Sequence, residues 1–282
     1  MKASIKRAVT VMVIFFGLII KISCSQGYQA TSQKGSEFSW PEGKKMALSL
    51  TFDDARPSQV DKGIPLLDEY GVKATFYVLH RNMMRRLDGW KEAVSNGHEI
   101  GNHSLRHPCS GNHTWAINNS LEDHYTLERM RMELDSANKL IYEALGVTPV
   151  SFAYPCGYTF IGRGVNTQSY IPVVASMFKT GRGWVDEVPN DPAFSDMAQL
   201  TGIPLDAQSF EEILQLIESA KRRGAWLILG GHEIGEEGTG DIYTSYLNVI
   251  EAICEYATDP ANGIWIDNVE NIATYVTETR GY

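Results

Sequence analysis

From residue 46 onward the chain alternates short, almost wholly apolar runs with longer amphipathic stretches, and this alternation restricts its fold more than any other feature. The runs Met46 to Phe52 (MALSLTF), Ala74 to Leu79, His98 to Asn102, Val150 to Tyr154, Ala225 to Leu229 (AWLIL) and Gly263 to Ile266 read as strands. Between them, helical spacing is expected over Pro57 to Tyr70, where Pro sits near the first turn, and over Leu87 to Asn96, which Gly97 stops. A longer helix is expected over Leu127 to Leu145, with Leu127, Met130, Leu134, Ala137 and Ile141 on one face and Gly146 at its end. Phe210 to Arg222 and Tyr246 to Tyr256 are two more. Strands separated by helices argue for an α/β fold: a parallel sheet covered on both sides, as a barrel or a doubly wound layer. Gly157 to Ala198, rich in Gly, Pro and aromatics, is expected to be mostly loop.

The first residues read as a processing segment. Lys2, Lys6 and Arg7 precede a nearly unbroken apolar stretch, Val9 to Ile20, which is shorter than the ~20 residues of a membrane-spanning helix and has signal-peptide length. Small residues at Ser23-Cys24-Ser25 suit cleavage after Ser25; an alternative reading makes Cys24 the lipidated first residue of a lipoprotein. The organisation expected is an export signal over 1–25, a polar Gly/Ser-rich linker over 26–43 and one catalytic domain over 44–282. The mature chain then has no transmembrane span, and its location is the periplasm, the cell surface or outside the cell. A formal net charge of −9 argues against a nucleic-acid partner. Cleavage would leave Cys109, Cys156 and Cys254, an odd number that does not describe a disulfide scaffold.

Polar residues of catalytic type recur just after the apolar runs. Asp53 and Asp54 follow MALSLTF, His103 and His107 follow HEIGN, Cys156 and Gly157 follow VSFAYP, and His232 follows AWLILGG. In a parallel α/β barrel these would converge on the rim at the C-terminal ends of the strands. Two imidazoles spaced i, i+4 would share one face of a helical turn, and with the Asp54 carboxylate they make a common catalytic zinc set. A His-x-x-x-His pair alone is a weak signal, and adjacent acids after a strand often cap the next helix.

Taken together the runs are more specific. Leu50-Thr51-Phe52-Asp53-Asp54 resembles the first motif of the polysaccharide deacetylases, and His103-Ser104-Leu105-Arg106-His107 resembles their second. Tyr154-Pro155-Cys156-Gly157 resembles a variant of their third, and the apolar run into His232 resembles their last. The resemblance implies a distorted (β/α) barrel, one divalent metal, most commonly zinc, and hydrolysis of N- or O-linked acetyl groups on a polysaccharide or oligosaccharide. It assigns Asp53 as general base, Asp54, His103 and His107 as metal ligands, His232 as general acid, and the Cys156 N–H as an oxyanion donor. Tyr154 and Trp184 are further candidates for the substrate wall, and Trp115 for a sugar contact. Two departures stand out. The Arg that steadies the base in many members is here Ala153, with Arg163 and Arg182 as nearby replacements, and no Asp-plus-Trp fourth motif is found.

Two other readings compete. One is hydrolysis of a small cyclic imide or amide on the same scaffold, against which the export signal argues. The other is a carbohydrate-binding relative without catalysis, which loss of Asp53 or of a ligand would favour; all are present. His80, His98, His113 and His124 read as solvent-facing or satisfied locally, and the Asn102 glycosylation sequon as accidental. If the barrel holds, Cys109 and Cys156 lie in loops on one rim, and export favours a bridge between them, with Cys254 as a buried thiol.

Overall fold

The computed structural model describes residues 38–238 and 241–281. The expected export signal, the Cys24 site and linker residues 26–37 lie outside the described residues. Eight strands form the main sheet: β1 (Met46–Asp53), β2 (Thr75–Val78), β3 (Glu99–Asn102), β4 (Ser151–Ala153), β5 (Thr180–Arg182), β6 (Ile203–Pro204), β7 (Trp226–Gly231) and β8 (Ile264–Ile266). They are ordered β5-β4-β3-β2-β1-β7-β6, with β8 also on β1, and each pairing is parallel. Every residue of β1 is buried, which explains why MALSLTF reads as a continuous apolar run instead of an alternating one. The edges of the sheet curl toward each other. Leu200, just before β6, accepts from Gly183 N at 2.7 Å and donates to Gly181 O at 2.8 Å beside β5. The result is the distorted barrel that the family resemblance implied, one of the two architectures that the alternation of strands and helices left open.

The helices begin and end where local chemistry dictates. The helix α3 (Leu127–Leu145) follows α1 (Ile64–Glu69) and α2 (Leu87–Ser95) and keeps the expected bounds. The Thr126 side chain caps its N-terminus by accepting from Arg129 N, and Gly146 ends it at φ 74°. In α4 (Phe210–Arg223) Ser209 and Glu212 form a reciprocal capping box, while Lys221, Arg222 and Arg223 meet the negative end of the helix dipole. The helices α5 (Leu247–Thr258) and α6 (Val269–Arg280) complete the cover. The largest apolar cluster fills the space between sheet and helices, where Phe76 stacks on Phe52 and meets the edge of Trp90. Truncating such a ring costs ~3–5 kcal/mol.

Several expectations are corrected. The stretch 157–198 is mostly loop, as expected, but it also holds a hairpin of Phe160–Ile161 with Gln168–Ser169, a helix over Ile171–Ala175, and β5. The linker does not run to residue 43, because Phe38 and Trp40 pack against Tyr275 of α6 and the Trp40 indole donates to Gly224 O. Burial of two aromatics outweighs the chain freedom that a polar tether keeps. Pro57 to Tyr70 is not one α-helix but enters through a π-turn over Gln59–Gly63. The helix α6 was not expected at all. Among the described residues no helix is long and apolar enough to cross a membrane.

Candidate active site

The ends of β1, β3, β5 and β7 open on one cavity of about 1150 Å³, lined among others by Asp53, Asp54, His103, His107, Cys156, Trp184 and His232. The barrel therefore brings the candidate residues together on one rim, with the exception of Tyr154. The backbone beside the cavity is strained: Asp54, Ala55, Ser104, His107, Cys156 and Val185 all have positive φ, between 53° and 76°. Non-glycine residues held this way cost ~1–3 kcal/mol each and cluster where a site demands a particular aim.

Asp54, His103 and His107 form one donor cluster. Asp54 Oδ1 lies 3.7 Å from His103 Nε2 and 3.7 Å from His107 Nε2. Two donors bound ~2.0–2.2 Å from one zinc ion stand at most ~4.4 Å apart, so these separations fit. The remaining groups point the same way. His103 Nδ1 lies 3.0 Å from Ala153 O; a carbonyl only accepts, so Nδ1 is the donor and Nε2 is the nitrogen turned to Asp54. Burial, then the neighbouring His103, pulls the His107 pKa down to about 4, which leaves that ring neutral at physiological pH. Arg56 donates to Asp54 Oδ2, leaving Oδ1 for the cluster. Burial raises the Asp54 carboxyl pKa, but the surrounding imidazoles bring it below its usual value. The pair His103 and His107 is not on a helical turn, as the spacing suggested. Its residues form an irregular loop with positive φ at Ser104 and His107, where the Ser104 hydroxyl accepts from His107 N.

Asp53, beside this cluster, is buried, and Arg182 Nη2 donates to its Oδ1. Burial pushes its pKa up, but the Arg182 charge and the nearby His103 and His232 outweigh it and hold the carboxylate ionised. Arg182 itself is fully buried and is anchored by donation to Gly183 O at 2.8 Å. Of the two arginines offered for this role it is the one in place; Arg163 is instead exposed and paired with Asp123.

Across the cavity, His232 Nδ1 lies 2.6 Å from Asp206 Oδ2, and His232 N donates to Asp206 Oδ1 at 3.0 Å. A carboxylate only accepts, so Nδ1 carries the proton and Nε2 is the working nitrogen. Burial lowers the His232 pKa, but the Asp206 hydrogen bond and the charges of Asp53, Asp206 and Asp54 more than reverse this, and it is raised. The His232 ring is held edge-on between Trp184 and Tyr243, with centroids at 4.9 and 5.3 Å. The glycines before it are required: a Cβ on Gly231 would lie 2.0 Å from Ser245 Oγ, and one on Gly230 would lie 2.7 Å from the Trp184 ring. Gln59 Nε2 donates to both Asp53 O and His232 O, tying the ends of β1 and β7 together.

Asp206 was missed in the sequence. It lies two residues beyond β6, which at two residues is too short to announce itself as an apolar run. Tyr154 is not a substrate contact: it is buried among Phe152 and Tyr170, and its hydroxyl donates to Ala198 O at 2.8 Å. Trp115, 62% exposed, does line the cavity, with His113 beside it. His98 is satisfied locally by Ala74 N and Asp68. Asn102 is buried and donates to Leu134 O and Asn138 Oδ1, so its sequon has no access to a glycan. Cys109 and Cys156 are bridged, with Cα atoms 6.0 Å apart, and Cys254 is a buried free thiol. Their sulfurs also lie near His107, but the bridge engages them.

Residues 41–160 match the family model described as polysaccharide deacetylase. A peptidoglycan-N-acetylglucosamine deacetylase of Bacillus cereus is 28% identical over 150 residues, covering 52% of this chain and 63% of that protein. The chain spans less than two thirds of the length of the curated relatives it matches. Among solved structures, a family 4 acetyl xylan esterase from Clostridium thermocellum, in complex with a cobalt ion, superposes with a TM-score of 0.52 at 19% identity, covering 81% of this chain and 91% of that one. Puue allantoinase superposes with a TM-score of 0.60 at 15% identity, covering 86% of this chain and 94% of that one. At these identities the superpositions establish the shared fold, which hosts more than one chemistry.

Proposed function

Because residues 41–160 match the polysaccharide deacetylase family model, we propose that this chain is an exported hydrolase that removes acetyl groups from a carbohydrate polymer or oligomer. The observation that carries the reading is the pairing of an ionised Asp53, held by Arg182, with a His232 oriented by Asp206, across the Asp54–His103–His107 cluster. A divalent ion held by that cluster, zinc in this reading, supplies polarisation of the acetyl carbonyl and lowers the pKa of nearby water toward ~7. The chain's own groups do the rest. With Oδ1 engaged by Arg182, Asp53 Oδ2 faces His103 at 4.0 Å and takes the proton of the attacking water. The N–H of Cys156, in a loop fixed by the bridge to Cys109, donates to the developing oxyanion. His232 Nε2 delivers a proton to the departing oxygen or nitrogen. Trp184 and Tyr243, flanking that ring, keep it from rotating and exclude water from its face.

The test is acetate release by zinc-loaded protein from acetylated xylan, chitin oligomers and peptidoglycan, with and without chelator. Release that stops with chelator and returns with zinc supports the reading; no release from any polymer removes it. Export is supported by the Lys2, Lys6 and Arg7 region ahead of the apolar Val9 to Ile20, and by a disulfide, which persists in oxidising compartments. Material recovered from outside the cytoplasm should begin at Gln26 or at a lipidated Cys24. An intact Met1, read by mass, contradicts both.

A further inference from the structure

The cavity walls carry a charge opposite to that of the chain. The chain bears a formal net charge of −9, yet Arg56, Arg81, Arg85, Arg106 and Arg129 line the cavity against three carboxylates, Asp53, Asp54 and Glu233. Those carboxylates are matched locally: Asp53 by Arg182, Asp54 and Glu233 by Arg56. Of the remaining four arginines, none forms an ion pair among the described residues. Arg81 and Arg85, both exposed, follow β2 with i, i+4 spacing. Arg106, also exposed, lies in the loop between His103 and His107. Arg129 donates only to the neutral oxygens of His124 and Asn119 and lies 4.4 Å over the Tyr125 ring, which presents its guanidinium as a fixed plane.

Arg106 and Arg129 have a second property. Both also line a neighbouring depression of about 400 Å³ with Leu105, Thr126, Glu128, Met132, Glu133 and Ser136, where Glu133 accepts from Arg106 N and the Tyr125 hydroxyl. Arg106 and Arg129 thus belong to both cavities, and a polymer reaching from one into the other would meet both side chains. Unpaired arginines on the walls of a cleft are poor company for a neutral sugar chain, because they stay hydrated and repel one another. They suit planar carboxylates, which arginine engages through two parallel hydrogen bonds.

Building on the deacetylase reading, we propose that the substrate is an acetylated glycan bearing carboxylates, with Arg106 and Arg129 gripping an acidic residue next to the sugar being deacetylated and Arg81 and Arg85 drawing the chain in. Two sources share this chemistry: uronic acids on a plant-type glycan, and the lactyl ethers of peptide-free peptidoglycan strands.

Calorimetry on the intact zinc-loaded protein separates them. One arm compares a glucuronoxylo-oligosaccharide with a neutral xylo-oligosaccharide of equal length. The other compares peptide-free muroglycan with chitin oligomers. Each exposed contact is weak, so several together should give ~10-fold tighter binding of the charged member in one arm, shrinking in high salt. In the Arg106→Gln/Arg129→Gln variant the preference should fall to ~2-fold, with Arg81→Gln/Arg85→Gln as an independent second variant that touches no helix cap. Equal affinities within both arms, no measurable binding of either charged glycan, or a preference that survives both variants overturns the proposal. Binding is read without turnover. A charged preference without acetate release from any substrate therefore sinks the deacetylase reading and leaves standing only the arginine grip on an acidic glycan.

Discussion

Adjacent carboxylates in water would differ little, but Asp53 and Asp54 are claimed by different arginines and face different partners. Asp54 belongs to the histidine cluster and Asp53 to Arg182, so removing charge from each should have different consequences. Asp53→Asn should retain bound metal while activity falls by ~10²-fold or more, as for loss of a general base. Metal content measured alongside turnover checks this, and loss of the metal would reverse the two assignments. The same reasoning gives the pH dependence of His232. Its folded pKa is raised, so the protonated ring that the proposed acid role requires persists to higher pH than in a free imidazole, and activity should be lost as pH climbs through that value. Asp206→Asn removes the charged hydrogen-bond partner that opposes burial. The alkaline limb of the activity profile should move to lower pH, and an unmoved limb would assign the acid elsewhere.

At the scale of elements, what the sequence made legible were the parts whose signals are local. The helix α3 was readable to its ends because Thr126 and Gly146 bracket an unbroken apolar stripe, and β1 because burial on both faces leaves no polar interruption. Asp53, Asp54, His103, His107 and His232 were readable because each directly follows such a strand or lies in the loop it opens into. Of the supporting groups, Asp206 was not, and Arg182 was named only as one of two nearby candidates. Arg182 reaches Asp53 across 129 residues and Asp206 reaches His232 across 26, and both stand on strands of three residues or fewer or just past them. No periodicity marks such short strands. The histidine spacing misled for a related reason: i, i+4 suits a helix, but here strained φ at Ser104 and His107 aims the rings from a loop. That loop is tied to the Cys156 loop by the bridge, which closes a sequence separation of 47 residues. The chain-entropy argument gives ~4 kcal/mol for a closure of this length. Denatured, unreduced mature protein should show one reactive thiol, Cys254, provided that cleavage follows Ser25, and three after reduction. Cys109→Ser/Cys156→Ser should lower unfolding free energy by up to about that amount, and three free thiols before reduction would end the idea.

On the scale of the whole molecule, the Asp54–His103–His107 donor cluster joins two loops that, among the described residues, no main-chain ladder connects at their tips. Asp54 leaves β1 and the histidines leave β3, and β2 stands between these strands in the sheet. An ion holding all three donors therefore fastens together neighbouring regions of the barrel rim, and the unfolded chain, with the donors scattered, has no equivalent site. Anything that binds only the folded form stabilises it by mass action, ~4 kcal/mol at a concentration a thousand times the dissociation constant. For a chain of this size each kcal/mol moves the unfolding midpoint by ~2–4 °C, so saturating zinc should raise Tm by roughly 10 °C over the chelated protein. His107 enters as a neutral donor, because its pKa is lowered to about 4, and so releases little proton on binding at pH 7. The His107→Ala variant keeps the fold, because that side chain lies at a cavity wall and not in an apolar cluster, but it should lose most of the zinc-induced shift. A thermal shift in zinc that is the same in the variant and the parent would place the ion at another site and leave the Asp54–His103–His107 cluster without its metal.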